Sequence, residues 1–272
     1  MSVIPFHITA LIYFVTTLVY IIYLVSHKER VLSIGKGLLI GGFCIHTITI
    51  IARWIDAGRT PATNLYEAIT VLAWIIVGLS LLADFRYKLA ILGSFVSPFA
   101  LLLLLTASFL PMEIVPLAPA LTSYWLPLHV TLALLGNAFF ILAFLLGLMY
   151  LIQERYLKSR KIGGLYFLLP SLEVLDELNY RALTYGFPLL TLAMITGAVW
   201  AEYVWGSYWS WEPRQTWSLI TWFLYAALLH GRFTAGWRGR KAAIFSAVGL
   251  AVLLGSFLVI NLFSWGSHGF LR

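Results

Sequence analysis

Apolar residues occur along this chain in long continuous runs separated by short polar segments. Eight runs can be drawn, at roughly 5–25, 34–54, 66–83, 89–109, 126–151, 182–204, 216–231 and 242–263. A helix needs about 20 apolar residues to cross a bilayer core, whereas barrel strands alternate over about ten. All runs approach the helical length except 216–231. The pattern predicts an all-α integral membrane protein with about eight transmembrane helices.

The composition supports a membrane protein. The chain is 61% apolar and 11% charged, whereas soluble domains average about 45–50% and about 25%. The net charge of +7 is better explained by membrane orientation than by nucleic-acid binding. The single cysteine, Cys44, excludes an internal disulfide, a C-x-x-C redox pair and a covalent C-x-x-C-H haem site within this chain.

Basic residues are distributed unevenly among the segments between the runs. With the N-terminus placed outside, all but four of the 18 Lys and Arg residues lie on the cytoplasmic side. The four outside are Arg53, Arg59, Arg214 and Arg272. Because cytoplasmic loops carry the excess of positive charge, we expect both termini on the external side. No internal repeat is apparent, and residues 1–272 are predicted to form one polytopic domain.

Tryptophan is concentrated between Trp200 and His230. Six of the eleven tryptophans lie there, at Trp200, Trp205, Trp209, Trp211, Trp217 and Trp222. One tryptophan at a helix end is typical of the interfacial aromatic belt. Here several share a short external loop, about 200–217, that Gly206 and Pro213 interrupt. Such a loop offers flat amphipathic rings that can stack on a large planar π system such as a porphyrin.

This stretch closely resembles the tryptophan-rich WWD family of haem-handling proteins, and within it the CcsA/ResC subunits of the System II cytochrome c synthase. The matching residues are Trp205, Gly206, Tyr208, Trp209, Trp211, Glu212, Pro213, Thr216, Trp217, Trp222, Tyr225 and His230. A second matching block holds Arg53, Gly58, Pro61, Asn64, Leu65, Tyr66 and Glu67. The family usually has aspartate at position 212 and Pro-Lys-Glu at 213–215, so this chain lacks one acid there.

Four histidines are candidate haem ligands. His129 and His268 lie at external helix ends beside the tryptophan-rich segment in the expected topology. Two imidazoles on opposite faces of a porphyrin give six-coordinate iron, and both positions match the family's external ligand histidines. The resemblance implies that His230 is the intramembrane haem ligand. His46 lies within the second run, where packing and haem ligation are equally open roles.

Residues of the tryptophan-rich loop are the expected contacts of the porphyrin itself. They are Trp205, Tyr208, Trp209, Trp211, Glu212 and Trp217. Arg214 is a candidate partner for the haem propionates because arginine pairs well with carboxylates. Capping a helix end or pairing with a nearby acid explains Arg214 equally well. No catalytic residue is assigned.

The resemblance implies a function in cytochrome c biogenesis. Haem b (iron protoporphyrin IX), held non-covalently, would cross the membrane and be presented outside for thioether attachment to an apocytochrome c with a C-x-x-C-H motif. The chain would be a subunit of a haem lyase or synthase complex. Expected partners are a ResB/CcsB-like membrane subunit and a thiol-reducing thioredoxin-like protein. The expected location is a bacterial cytoplasmic membrane or a thylakoid membrane, with the loop external.

Three alternative functions stay open at this point. A CcmC-like haem exporter or chaperone shares the tryptophan motif without ligating haem, and six spans suit it better than eight. A HemX-like regulatory membrane protein has the same architecture with an eroded motif, whereas the motif here is intact. A polytopic solute transporter is expected to show paired helix interruptions at mid-membrane, which the runs lack.

Overall fold

The computed structural model describes residues 2–117, 119–160 and 163–263, with the side chains of 119–120 and 256–263 excepted. Every regular element in these ranges is helical, which confirms the all-α class. The α-helices are α1 (Val3–Ser26), α2 (Glu29–Ala57), α3 (Leu65–Tyr87), α4 (Gly93–Ser108), α5 (Trp125–Lys158), α6 (Leu165–Leu168), α7 (Leu172–Trp205), α8 (Pro213–Thr234) and α9 (Arg240–Phe263). Two 3-10 turns, Ala90–Leu92 and Pro119–Thr122, precede α4 and α5.

The chain is an integral membrane protein. Within the described ranges, six helical segments are long and apolar enough to cross a bilayer: α1, α2, α3, Ala90–Ser108, α5 and α7. Helices α8 and α9 do not belong to this set. The count of eight spans and the external position of both termini therefore stay predictions.

Contacts divide the chain into two compact units, and unit 1 comprises Met1–Val115 and Ile152–Ser171. Its long helices form a ring in which α1 packs on α2 and α4, and α3 packs on the same two helices. Small residues allow this close approach, since a Cβ built at Gly42 of α2 would lie 2.6 Å from the Tyr13 ring of α1. Close packing at small residues drives helix association where lipid removes the hydrophobic effect.

Unit 2 comprises Pro116–Leu151 and Leu172–Arg272. Its core joins α5, α7, α8 and α9. The rings of Phe140 (α5) and Tyr225 (α8) stack with centroids 3.6 Å apart and planes 5° apart. The buried Asn179 amide of α7 donates to the Ala143 carbonyl oxygen of α5 at 2.6 Å and to Ser246 Oγ of α9 at 3.0 Å. These bonds satisfy polar groups that lipid would leave without partners.

The two units share an internal plan that was not apparent in the sequence. Helices α2 and α7 are each followed by a glycine in the left-handed region, Gly58 (φ 64°) and Gly206 (φ 70°), a conformation that only glycine adopts without penalty. In both units the residue before the next helix, its N-cap, stands six positions after that glycine, at Asn64 and Glu212. The segments 58–64 and 206–212 therefore have equal length, and we call 206–212 the tryptophan loop.

The shared plan continues into α3 and α8. Ten residues after each N-cap stands a tryptophan, Trp74 or Trp222. Each indole Nε1 donates a hydrogen bond of 2.9 Å to a threonine hydroxyl of the preceding long helix, Thr47 or Thr191. The two units are thus built on one repeated arrangement of helix, seven-residue loop and helix.

Ion pairs appear at equivalent positions near the other end of these helices. Twenty residues after the N-cap, Asp84 of α3 pairs with Lys36 of α2 at 2.6 Å. Arg232, at the same distance from its own N-cap in α8, pairs with Asp176 of α7 at 2.8 Å. Asp84 and Arg232 are therefore equivalent in position and opposite in charge, whereas their partners stand at different distances from the glycine that follows each helix.

Candidate functional site

His129, in the second turn of α5, is fixed by a hydrogen bond to α7. Its Nδ1 lies 2.8 Å from the Ala193 carbonyl oxygen. Because a carbonyl oxygen only accepts, Nδ1 carries the hydrogen and donates it. In the neutral ring Nε2 then holds the lone pair that a metal ligand needs. Ligating histidines commonly donate their other ring N–H to a carbonyl in this way, which orients the ring.

One face of α7 is shaped to receive the His129 ring. Ala193, Gly197 and Trp200 follow one another at helical spacing on that face. A Cβ built at Gly197 would lie 2.7 Å from the imidazole, so glycine leaves the room that the ring occupies. One turn further on, the Trp200 ring stacks on the imidazole, with centroids 6.0 Å apart and planes 25° apart. We call these three residues of α7 the His129 seat.

Trp200 connects the His129 seat to the end of α7. It is 3% exposed and packs with Leu121 and Leu126 in a small apolar cluster that Trp205 also joins. The Trp200 and Trp205 rings meet edge to face at 5.2 Å. Trp205 is the last residue of α7, directly before the tryptophan loop. The fold therefore brings His129 and Trp205 to one aromatic cluster.

The tryptophan loop has a defined backbone path. Ser207 Oγ donates to the Trp209 carbonyl oxygen at 3.1 Å. The Trp209 and Trp211 rings lie perpendicular to one another, 5.7 Å apart. Trp211 has a φ of 55°, which costs a bulky residue roughly 1–3 kcal/mol and is common where surrounding contacts over-determine a functional segment.

The first turn of α8 holds the loop from the other side. Gln215 Oε1 accepts the Ser210 backbone N–H at 2.8 Å and the Ser210 hydroxyl at 3.3 Å. Thr216 Oγ1 donates to the Trp211 carbonyl oxygen at 3.3 Å. Both residues thus tether the segment that carries the paired indoles.

Aromatic surface and unpaired polar atoms occur together in and beside the loop. Tyr208 and Trp211 are 60% and 71% exposed. Trp209 Nε1 and Arg214 Nε are buried without a hydrogen-bond partner in the described part of the chain. Buried donors normally have partners, so these two groups are available to acceptors of a ligand or of water. A porphyrin with apolar faces and anionic propionates matches this combination.

The remaining predicted loop residues lie at the start of α8. Glu212 is the N-cap residue, and its carbonyl oxygen accepts the Thr216 N–H at 2.9 Å without a capping bond from its side chain. Trp217 is half-buried in the first turns of the helix. Both residues therefore lie at or next to the end of the tryptophan loop.

The other candidate histidines lie elsewhere. His230 is exposed near the end of α8, distant along the helix from the tryptophan loop. His46 is fully buried in α2 of unit 1, where its Nδ1 shares a 3.2 Å hydrogen bond with the Tyr13 hydroxyl. His268 lies outside the described residues. The site that the structure assembles therefore centres on His129.

Three residues of the site were not selected from the sequence. Trp200 was counted in the tryptophan cluster without a role, and Gly197 gives no signal of its own in an apolar helix. Gln215 was noted as a replaced acid. It stands three residues after the N-cap Glu212, and a Glu or Gln at that position commonly bonds back to the backbone before the helix. This spacing is visible in the sequence and could have identified Gln215.

Comparisons with known proteins agree with this fold. A family model described as "Cytochrome C assembly protein" matches residues 62–268. Cytochrome c biogenesis protein CcsA of Guillardia theta is 36% identical, over 97% of this chain and 94% of that protein. The CcsA of Microcystis aeruginosa is 36% identical, over 87% and 86%, and that of Chlamydomonas reinhardtii 40% identical, over 82% and 64%.

The chain is similar along its whole length to a solved structure. The protein titled "Cytochrome c Heme Lyase CcmF" superposes with a TM-score of 0.67 at 16% identity. The match covers all of this chain and 50% of that one, so the chain spans half the length of the solved protein. At this identity the similarity shows a common fold.

The helices, the His129 seat and the tryptophan loop define a polytopic α-helical membrane protein with an aromatic site next to a helix end. The family match covers well over half of the chain, and relatives above 30% identity align along nearly its whole length. The chain belongs to the cytochrome c assembly protein family, among the CcsA proteins.

Proposed function

We propose that this chain works in cytochrome c biogenesis by presenting haem outside the membrane for covalent attachment to an apocytochrome c. The observation that carries the proposal is the His129 seat. An imidazole is oriented by a carbonyl acceptor, lies against a buried tryptophan, and belongs to the cluster from which the tryptophan loop departs. This arrangement suits a residue that holds haem iron through Nε2.

The loop residues complement a haem substrate in their chemistry. The exposed rings of Tyr208 and Trp211 offer flat surfaces for the porphyrin, and Trp209 Nε1 and Arg214 Nε are donors for its propionates. His268 is proposed as the second external ligand. The substrate is haem b, and the thioether bonds form when the two thiols of the apocytochrome motif add across its vinyl groups. The chain's contribution is to orient the substrate.

The repeated plan supports the proposed eight-span topology. Helices α8 and α9 occupy in unit 2 the places that α3 and α4 occupy in unit 1, and α3 and α4 belong to segments that qualify as spans. With an external N-terminus, eight spans would put the tryptophan loop outside. His230 would then lie towards the cytoplasmic end of α8, where we propose that it binds haem on its way outward.

Partners are part of the same proposal. Haem attachment requires an apocytochrome c with reduced thiols, hence a thiol-reducing thioredoxin-like protein. We propose that a ResB/CcsB-like membrane subunit completes the complex. The bacterial cytoplasmic membrane or the thylakoid membrane is the proposed location.

The first test is the absorption spectrum of the purified full chain, expressed with and without a ResB-like partner. We expect His129→Ala to lose a sharp low-spin haem spectrum that the unmodified chain shows. His7→Ala is the matched control, because His7 Nδ1 also lies 2.8 Å from a backbone carbonyl oxygen, that of Val3 in α1. The control is expected to keep the spectrum.

Two outcomes would overturn the external haem site. The first is an absence of haem under every condition, including with the partner and with added hemin. The second is haem that remains low-spin and fully occupied after His129→Ala. Elution of each variant as a single symmetric peak in detergent guards against misfolding as the cause of a loss.

A further inference from the structure

The repeated plan includes one device that acts on both seven-residue loops. In each unit the third residue of the helix after the loop turns its side chain back and accepts hydrogen bonds from the loop. In unit 1 this residue is Glu67, whose Oε2 accepts the Thr63 N–H and hydroxyl, both at 2.9 Å. In unit 2 it is Gln215, whose Oε1 accepts the same two kinds of group from Ser210.

The two copies of this device differ in what they hold. Thr63 stands one residue before the N-cap Asn64 in a loop without aromatic residues, whereas Ser210 stands two residues before its N-cap, between Trp209 and Trp211. The amide of Ser210 is therefore the point at which the backbone between the two indoles is tied to α8. If this tie is released, the backbone between the perpendicular rings loses its bonds to the Gln215 side chain, while the Thr216 bond to the Trp211 carbonyl oxygen remains.

We propose that Gln215 is the positioning residue of the tryptophan loop, acting through Ser210 to hold Trp209 and Trp211 in the orientation that receives haem. This rests on the proposed function for its haem part. Gln215 contacts the loop backbone and needs no contact with the substrate. The neutral amide does in unit 2 what the Glu67 carboxylate does in unit 1.

The charge of the two side chains fits their surroundings. The Glu67 carboxylate is fully buried and pairs with Arg53 at 2.9 Å, whereas the tie to Ser210 lies at the exposed surface of the loop. An amide oxygen and a carboxylate oxygen both accept from a backbone N–H, and a negative charge in the first turn of a helix is favourable. Gln215→Glu is therefore expected to keep the tie, and Gln215→Ala to remove it.

The test is hydrogen exchange of the full chain in detergent, read by mass spectrometry on peptides covering 206–216. We expect Gln215→Ala to speed exchange in this segment about threefold to tenfold, the range for one lost hydrogen bond, and Gln215→Glu to restore it. Ser218→Ala is the matched control, because Ser218 Oγ donates its hydrogen bond of 2.7 Å within α8, to the Gln215 carbonyl oxygen. Exchange equal to the unmodified chain in Gln215→Ala would overturn the proposal.

A hemin titration of the same variants tests the haem part. We expect Gln215→Ala to weaken hemin binding several-fold, Gln215→Glu to recover it and Ser218→Ala to leave it unchanged. Faster loop exchange with unaltered hemin affinity would overturn the haem role of the tie. If the unmodified chain binds no hemin, the proposed function fails, while the exchange experiment still decides whether Gln215 holds the loop.

Discussion

The segments 58–64 and 206–212 have the same backbone plan and different side chains. Each starts at a left-handed glycine, has seven residues, and is tied back by the third residue of the next helix. The first segment reads GRTPATN and the second GSYWSWE. The frame is thus set by glycine and capping chemistry, which leaves the residues between them free to take different roles.

The two segments also differ in how their polar groups are used. In unit 1 the Arg53 guanidinium donates to Glu67 at 2.9 Å and to the Met112 and Glu113 carbonyl oxygens at 2.7 and 3.3 Å. Arg53 thereby fixes the Glu67 side chain, which in turn holds Thr63 of the segment. In unit 2 Trp209 Nε1 lacks such a partner within the described residues, and the Trp211 ring is exposed. Unit 1 thus uses these polar groups for internal contacts, whereas in the proposed function those of unit 2 are left for a ligand.

The largest expected effect comes from breaking the buried ion pair of unit 1. Glu67→Ala leaves the Arg53 charge, 5% exposed, without its carboxylate, and loss of one partner of a buried pair costs about 3–5 kcal/mol. Thermal unfolding in detergent measures the change. Glu177→Ala is the control, since its pair with Arg181 is 44–48% exposed and is worth at most about 1 kcal/mol. Equal losses in the two variants would contradict the special role of the buried pair.

A smaller effect is expected from overpacking the His129 seat of unit 2. Gly197→Ala pushes a methyl group into the His129 ring at 2.7 Å, and overpacking of this kind costs about 1–3 kcal/mol. The ring must shift, so we expect both a lower unfolding temperature and an altered haem spectrum. Gly41→Ala in α2 is the control, because its Cβ would meet nothing within 4 Å and alanine favours a helix. If Gly197→Ala is as stable as this control and its spectrum is unchanged, the His129 ring has room for the methyl group and the prediction is wrong.

The sequence predicted the frame of the fold better than its internal symmetry. The hydrophobic runs located the long helices. The run 216–231, however, begins three residues after the start of α8, because that start depends on Pro213 at the first helical position. The repeat was missed because few identical residues carry it, and equivalent positions such as Asp84 and Arg232 have opposite charges. Hydropathy records neither capping geometry nor the sign of a charge.

The candidate site was predicted from one kind of signal. The density of tryptophan marked the loop and the external topology marked His129, and the structure joins His129 to the aromatic cluster at the end of α7. The seat itself depends on Gly197, whose role is visible only once the His129 ring of another helix is seen to occupy the space beside it. Packing between helices distant in the sequence supplies that information.

The smallest expected effect tests whether the two units are energetically equivalent where they are geometrically equivalent. Trp74→Phe and Trp222→Phe each remove an indole N–H bond of 2.9 Å, and a hydrogen bond between membrane helices is worth about 0.6 kcal/mol. Thr47 and Thr191 stay satisfied, because each hydroxyl also donates to a carbonyl oxygen of its own helix. We therefore expect two small and equal losses of unfolding free energy. A hydrogen bond of this kind normally contributes no more than about 1 kcal/mol. A larger difference between the two losses would mean that the equivalent bonds contribute unequally to the stability of the two units.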